Sequence, residues 1–208
     1  MWMDEAVPYL TARTLAEARL YLVLGADEDL DGPEEPPGEQ VEHVEPVEGP
    51  EGWTLRSGRV AVFVPYASEA EARDEGELFG VGLSELLDPG QWHLAAAGYA
   101  RRALADDLEF AEEPGDEQPG DEELRDGQPG GGVPYLRVVR GWEAARDAVR
   151  EVLKFLPPGE DQVPEEAFWT ETGLAARAAE PERFRRDRLT EDVALYQGHL
   201  DDFRRMNG

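Results

Sequence analysis

The sequence contains no cysteine, and this absence excludes several classes of protein. Disulfide bonds, thiolate-bound zinc or iron–sulfur centres and a cysteine nucleophile all require that residue. Histidine is scarce too: His43, His93 and His199 are the only three, and none has a second histidine at a ligand spacing such as i+4. We therefore expect neither a metal nor a cofactor.

Long apolar runs and a basic amino-terminal region are also absent. No stretch of about 18 apolar residues occurs, which is the length that a membrane-spanning helix needs. The chain begins MWMDEAVPYL, without the basic and apolar regions of a secretory signal. The sequence therefore predicts a soluble, cytoplasmic protein with no membrane partner.

Positive charge is scarce relative to negative charge, because 47 acidic residues outnumber 20 basic ones and give a formal net charge of −27. A field of this sign repels a polyanion, which argues against nucleic acid as a direct ligand. Two proline- and glycine-rich segments, 26–52 and 103–136, contain eleven acidic residues each. We predict that both are long acidic loops, which are either solvated insertions or charged docking surfaces.

Strand patterns are found in two parts of the chain. The apolar runs 53–56 and 59–66 flank Ser57-Gly58, which predicts a two-residue hairpin turn. Residues 135–140 alternate between apolar and polar side chains, and this predicts another strand. A small antiparallel sheet of at least three strands is the expected result.

Helical patterns account for most of the remaining chain. Thr14 and Glu17 have capping-box spacing within a predicted helix over 4–24, and Asp88, Pro89 and Gln91 form a strong helix start. Apolar spacing predicts further helices at 68–75, 142–156, 174–179, 181–189 and 191–206. We expect one α+β domain over 1–208, in which several helices pack on the sheet.

The first acidic segment contains part of a calcium-loop pattern. Asp27, Asp29 and Asp31 occupy the first, third and fifth positions, and Gly32 occupies the sixth. The twelfth position, which should supply a bidentate glutamate, is Gly38, and nearby prolines oppose an exiting helix. The composition of the segment accounts for this half motif, so we predict a solvated acidic loop without useful calcium affinity.

Three other groups of residues have catalytic or ligand-binding residue types. Ser84, Asp88 and His93 are the types of a hydrolytic triad, but no nucleophile elbow precedes a helix there. The basic run 183–188 contains acidic neighbours and is typical of an ion-pairing helical face. The segment 165–171 combines carboxylates with the aromatics Phe168 and Trp169, which more often pack than bind sugars. We predict no catalytic residue in these groups.

Four tracts carry a family resemblance: Asp88-Pro-Gly-Gln-Trp92, residues 151–159, residues 164–168 and residues 180–186. In these tracts the chain resembles an uncharacterised protein family of GC-rich bacteria, to which we attach no activity. In general character, as a small, acidic, cysteine-free α+β protein, it is also similar to immunity proteins that neutralise bacterial toxins.

These observations favour a non-catalytic acidic binding protein, such as an inhibitor or immunity factor for a basic protein partner. The alternatives are an accessory or structural subunit of a protein assembly, or an enzyme whose site is assembled from distant positions. Charged loops steer association and aromatic side chains anchor it. The candidate contact residues are Glu28, Glu34, Glu35, Asp116, Glu117, Asp121, Glu122, Trp53, Trp92 and Trp169.

Overall fold

A computed structural model of the chain describes residues 10–26, 44–112 and 132–208. The described strands are β1 (Leu10–Thr11), β2 (Val47–Glu48), β3 (Gly52–Ser57) and β4 (Val60–Pro65). The described α-helices are α1 (Leu15–Ala26), α2 (Tyr66–Glu75), α3 (Pro89–Glu112), α4 (Val133–Lys154), α5 (Glu171–Ala179) and α6 (Arg186–Asn207), with 3₁₀ turns at Glu165–Ala167 and Pro181–Phe184.

The four strands form one small sheet in the order β1-β4-β3-β2. β1 runs parallel to β4, whereas β3 is antiparallel to both β4 and β2. The predicted α+β class is confirmed, but the sheet is mixed rather than antiparallel, because β1 pairs with β4 in parallel. The hairpin between β3 and β4 is also confirmed, although its turn lies one residue later than predicted: Ser57 pairs with Val60, and Gly58 adopts a left-handed φ of 56°.

The strand predicted at 135–140 is wrong, because these residues lie in α4. Val138, Val139 and Trp142 are all buried, so the true apolar period of this segment is helical. The apolar residues Tyr135, Leu136, Val138 and Val139 occupy positions i, i+1, i+3 and i+4, which is helical spacing and not the alternation of a strand. The sheet instead obtains its outer strands from the two-residue segments β1 and β2.

Several predicted helix bounds are also wrong. The helices predicted at 142–156 and 174–179 begin at Val133 and Glu171, and those predicted at 181–189 and 191–206 are instead a 3₁₀ turn at Pro181–Phe184 and one continuous helix, α6. The helix predicted over 4–24 begins only at Leu15, after β1, with the Thr14 hydroxyl accepting a hydrogen bond of 3.1 Å from the Glu17 amide. The helix predicted to start at Ser68 begins at Tyr66, and Ser68 instead donates to the Pro65 carbonyl at 3.1 Å. Residues 4–9 lie outside the described residues.

The predicted acidic loops are shorter than 26–52 and 103–136. α1 reaches Ala26, and β2 and the first residue of β3 lie before residue 53. α3 continues to Glu112 and α4 starts at Val133, so both flanks of the second segment are helical. The rest of the two segments, 27–43 and 113–131, lies outside the described residues.

Helices α3 and α4 form the central antiparallel pair. Gly141 of α4 permits their close approach, since a Cβ there would lie 2.9 Å from the Cβ of Ala103. One end of the pair packs with α1 and the sheet through Trp92, Leu55 and Val62. The other end packs with α6 in a second apolar cluster, built from Ala103, Val138, Val139, Trp142, Leu200 and Phe203.

Candidate partner-binding surface

The three tryptophans that the sequence predicts as partner anchors differ in how far they are exposed to solvent. Trp92 is completely buried, with its ring centre 4.8 Å from that of Phe79, so it belongs to the core in this fold. Trp53 is half-buried on β3 and meets Tyr66 edge-on at 4.4 Å. Trp169 is 47% exposed. Trp169 is therefore the tryptophan best placed for contact with another molecule.

The buried carboxylate of Asp88 binds the backbone of Trp169 and Thr170. Asp88 Oδ2 accepts hydrogen bonds from the amides of Trp169, at 3.1 Å, and Thr170, at 2.9 Å, and from the Thr170 hydroxyl at 2.7 Å. Its other oxygen caps α3 by accepting from the Gln91 amide at 3.0 Å, while Gln91 Oε1 accepts from the Asp88 amide. Asp88 thus confirms the predicted helix start and also joins α3 to the segment that carries Trp169.

Two glycines allow this junction to close. A Cβ on Gly173 would lie 2.1 Å from each carboxylate oxygen of Asp88, and a Cβ on Gly90 would lie 2.4 Å from the Cα of Gly173. The Thr170 hydroxyl also accepts from the Gly173 amide at 2.9 Å, which caps α5. The amino-terminal ends of α3 and α5 are consequently held together at the backbone of Trp169 and Thr170.

Acidic side chains surround Trp169 in the sequence and are exposed in the structure. Residues 164–176 contain Glu165, Glu166 and Glu171 but no base. Glu165 pairs with Arg177 at 2.9 Å, and that guanidinium lies 5.4 Å from the centre of the Phe168 ring. No basic side chain of the described residues pairs with Glu166 or Glu171, so both carboxylates are available to a ligand.

The Trp169 ring rests on the carboxyl-terminal end of α4. Its centre lies 6.0 Å from that of Phe155, which is half-buried. The same helix end also contacts the segment 77–83, because Lys154 donates to the Gly80 carbonyl at 2.7 Å. This segment exposes Leu78, Val81 and Leu83.

We refer to Trp169, Glu166 and Glu171 together as the Trp169 surface; the segment 77–83 is not part of it.

A buried ion cluster holds the segment 77–83 in place. Glu151, which is 1% exposed, pairs with Arg13 at 2.9 Å and with Lys154 at 2.6 Å. Arg13 also pairs with Glu17 at 2.7 Å and donates to the Gly82 carbonyl. Burial raises the pKa of Glu151, although Arg13 and Lys154 oppose that shift. The charges of this cluster are thus engaged in fixing the local fold.

The hydrolytic triad types do not converge on one another. Ser84 Oγ accepts from the amides of Leu86 and Leu87, and Asp88 is fully engaged in the junction described above. The His93 ring packs edge-on against Phe184 at 5.3 Å. Burial lowers the pKa of His93, as expected for an imidazole that loses water contact.

The basic run 183–188 forms ion pairs, as the sequence predicted. Arg183 pairs with Glu180 at 3.0 Å and Arg188 pairs with Glu191 at 2.7 Å. Arg185 lies between Glu182 and Asp187, and Arg186 donates to two backbone carbonyls. This basic surface is therefore neutralised locally.

Other predicted residues lie outside the residues that the structure describes. They are the calcium-loop residues Asp27, Asp29 and Asp31 and the loop candidates Glu28, Glu34, Glu35, Asp116, Glu117, Asp121 and Glu122. Within residues 10–26, 44–112 and 132–208, no group of three or more His, Asp or Glu side chains could hold a metal ion. Among the described helices, none is both long and apolar enough to cross a membrane.

Comparison with known proteins adds no relative: no family model, no curated protein and no solved structure matches the chain.

The Trp169 surface could be predicted from the sequence only in part. Asp88 was recognised as a helix cap, but its hydrogen bonds to Trp169 and Thr170 cross about eighty residues of chain. The sequence Trp169-Thr170-Glu171, which is an aromatic residue followed by a helix cap, is the only local sign of them.

Proposed function

We propose that this chain is a cytoplasmic, non-catalytic binding protein for a basic protein partner, acting as an inhibitor or immunity factor. The observation that carries the proposal is an exposed tryptophan on a rigid junction, surrounded by carboxylates, in a chain of net charge −27. Charge of one sign speeds encounter with a partner of the opposite sign. A central aromatic residue supplies the contact area that holds a complex together.

The distribution of charge supports a basic partner. Residues 44–88 contain ten acidic and three basic side chains, and the stretch from Asp74 to Asp88 has five acids and no base. The basic side chains of the 183–188 run and of the ion cluster are occupied by acids or carbonyls of the chain itself. The net field available to a partner is therefore acidic.

The rigidity of the junction supports a binding role. Trp169 has its backbone amide bound by a buried carboxylate and its ring placed against Phe155. A side chain that is already ordered loses little conformational entropy when it binds, which favours affinity. Preorganisation of an exposed aromatic residue is what an interface anchor requires.

Affinity purification from the native host, followed by mass spectrometry, tests the proposal. We expect a specific partner with a basic isoelectric point, and the purified pair should re-form at 50 mM salt and dissociate more readily at 500 mM. A partner that is acidic, or a small-molecule turnover by the purified chain, would contradict the proposal. Recovery of a stable multi-protein assembly would support the accessory-subunit alternative instead.

A further inference from the structure

The Trp169 surface combines two features that together select one ligand chemistry. An exposed indole offers a π face, and tryptophan is the aromatic side chain that attracts cations most strongly. Glu166 and Glu171 are both exposed, lie within three residues of it, and pair with no basic side chain of the described residues. A cation placed over the indole is therefore within three chain positions of two exposed carboxylates.

We propose that the Trp169 surface binds an arginine side chain from an extended basic segment of the partner. The planar guanidinium stacks on the indole and donates hydrogen bonds to the carboxylates of Glu166 and Glu171. This inference rests on the proposed function, because it identifies which part of the chain contacts the basic partner. Arginine fits better than lysine, since a guanidinium stacks on aromatic faces and is more weakly hydrated than an ammonium.

The surroundings explain why the chain does not fill this surface itself. Arg177, a basic residue close in sequence, is directed to Glu165 and to the face of Phe168. Lys154, at the end of α4, is bound by Glu151, Glu77 and the Gly80 carbonyl. Both cations are thus committed elsewhere, and no basic side chain of residues 10–26, 44–112 and 132–208 pairs with Glu166 or Glu171.

A second copy of the chain is a poorer occupant. Each copy has a formal charge of −27, so two copies repel one another. A neutral apolar segment would use the indole but would desolvate Glu166 and Glu171 without compensation. Charge complementarity therefore favours a basic segment over both.

The direct test is a titration with a short Gly-Arg-Gly-Arg-Gly peptide at 150 mM salt, followed by the indole N–H signals in an NMR spectrum. The Trp169 signal is assigned with Trp169→Phe, and Trp53 serves as the internal reference. We expect the Trp169 signal to shift with the arginine peptide and not with the same peptide containing citrulline, its uncharged counterpart. The affinity should fall about two- to fivefold in Trp169→Leu.

Charge-matched variants separate a local site from the general acidity of the chain. Glu166→Gln/Glu171→Gln removes two charges at the Trp169 surface, whereas Glu71→Gln/Glu75→Gln removes two exposed charges from α2. We expect the first pair to weaken peptide binding more than the second. Equal losses, equal binding of the citrulline peptide, or a larger shift at Trp53 would overturn the inference.

The outcome is distinguishable from failure of the proposed function. If a basic partner is isolated but Trp169→Leu leaves its dissociation rate unchanged, the partner role stands and the Trp169 site is wrong. If the Trp169 signal broadens with protein concentration in the absence of peptide, a second copy occupies the surface and the arginine assignment is overturned. An acidic partner would contradict the proposed function, whatever the peptide does.

Discussion

Two buried carboxylates, Asp88 and Glu151, hold two segments that contact the carboxyl-terminal end of α4, and they do so by different means. Asp88 accepts hydrogen bonds from backbone amides and a hydroxyl. Glu151 instead pairs with the cations of Arg13 and Lys154. Asp88 is the one acceptor that the Trp169 and Thr170 amides use among the described residues, whereas Arg13 also binds Glu17 and backbone carbonyls. The comparison teaches that the junction under Trp169 depends on one residue, while the ion cluster contains redundancy.

The largest effect is expected when Asp88 is removed. Asp88→Ala deprives α3 of its cap and leaves the Trp169 and Thr170 amides without an acceptor, so the free energy of unfolding should fall by about 3 kcal/mol. Urea denaturation measures this. Asp88→Asn keeps one acceptor oxygen for the Trp169 and Thr170 donors but turns its NH2 group towards the Gln91 amide, so it should lose only the cap of α3, about 1 kcal/mol. If Asp88→Ala loses no more than Asp88→Asn, the hydrogen bonds to Trp169 and Thr170 do not hold the junction.

A smaller loss of stability is expected when a methyl group is added at the junction than when the Asp88 carboxylate is removed. A Cβ in Gly173→Ala would lie 2.1 Å from the Asp88 oxygens, so the two helix ends must separate, at a cost of about 2 kcal/mol. Gly198→Ala is the matched control, because its Cβ would meet nothing within 4 Å on α6. That change should stabilise the protein by about 0.5–1 kcal/mol through helix propensity. Similar melting temperatures for the two variants would count against close packing at the junction.

Substitution in the ion cluster should reduce the free energy of unfolding less than substitution of Asp88 does. Glu151→Gln is expected to cost about 1 kcal/mol at pH 7, because Arg13 keeps Glu17 and Lys154 keeps Glu77. The pKa of Glu151 is raised in the folded state. The folded protein therefore takes up the proton first, and the wild type should gain stability over Glu151→Gln as the pH falls through the raised pKa towards 4.5. A difference in unfolding free energy that shrinks over this range would contradict the direction of the shift.

The same contrast explains what could be predicted from the sequence. The Asp88 cap depends on residues within four positions of each other, so its pattern predicted the start of α3 correctly. The strands β1 and β2 have two residues each and exist only through pairing with β4 and β3, so no local period indicated them. The hydrogen bonds that fix Trp169, and the ion pair between Arg13 and Glu151, join distant segments. Chain folding brings these groups together, and local pattern cannot reveal them.

The central claim is that negative charge raises the association rate with a basic partner, and that Trp169 lowers the dissociation rate of the complex. The most direct test measures association and dissociation rates with the purified partner between 50 and 500 mM salt. The association rate should fall about tenfold or more over this range, with a smaller slope when the acidic residues in 27–42 or 113–126 are changed to Asn and Gln. Trp169→Leu should raise the dissociation rate and leave the salt slope unchanged. An association rate that is independent of salt, or a dissociation rate that does not respond to Trp169→Leu, would contradict the account.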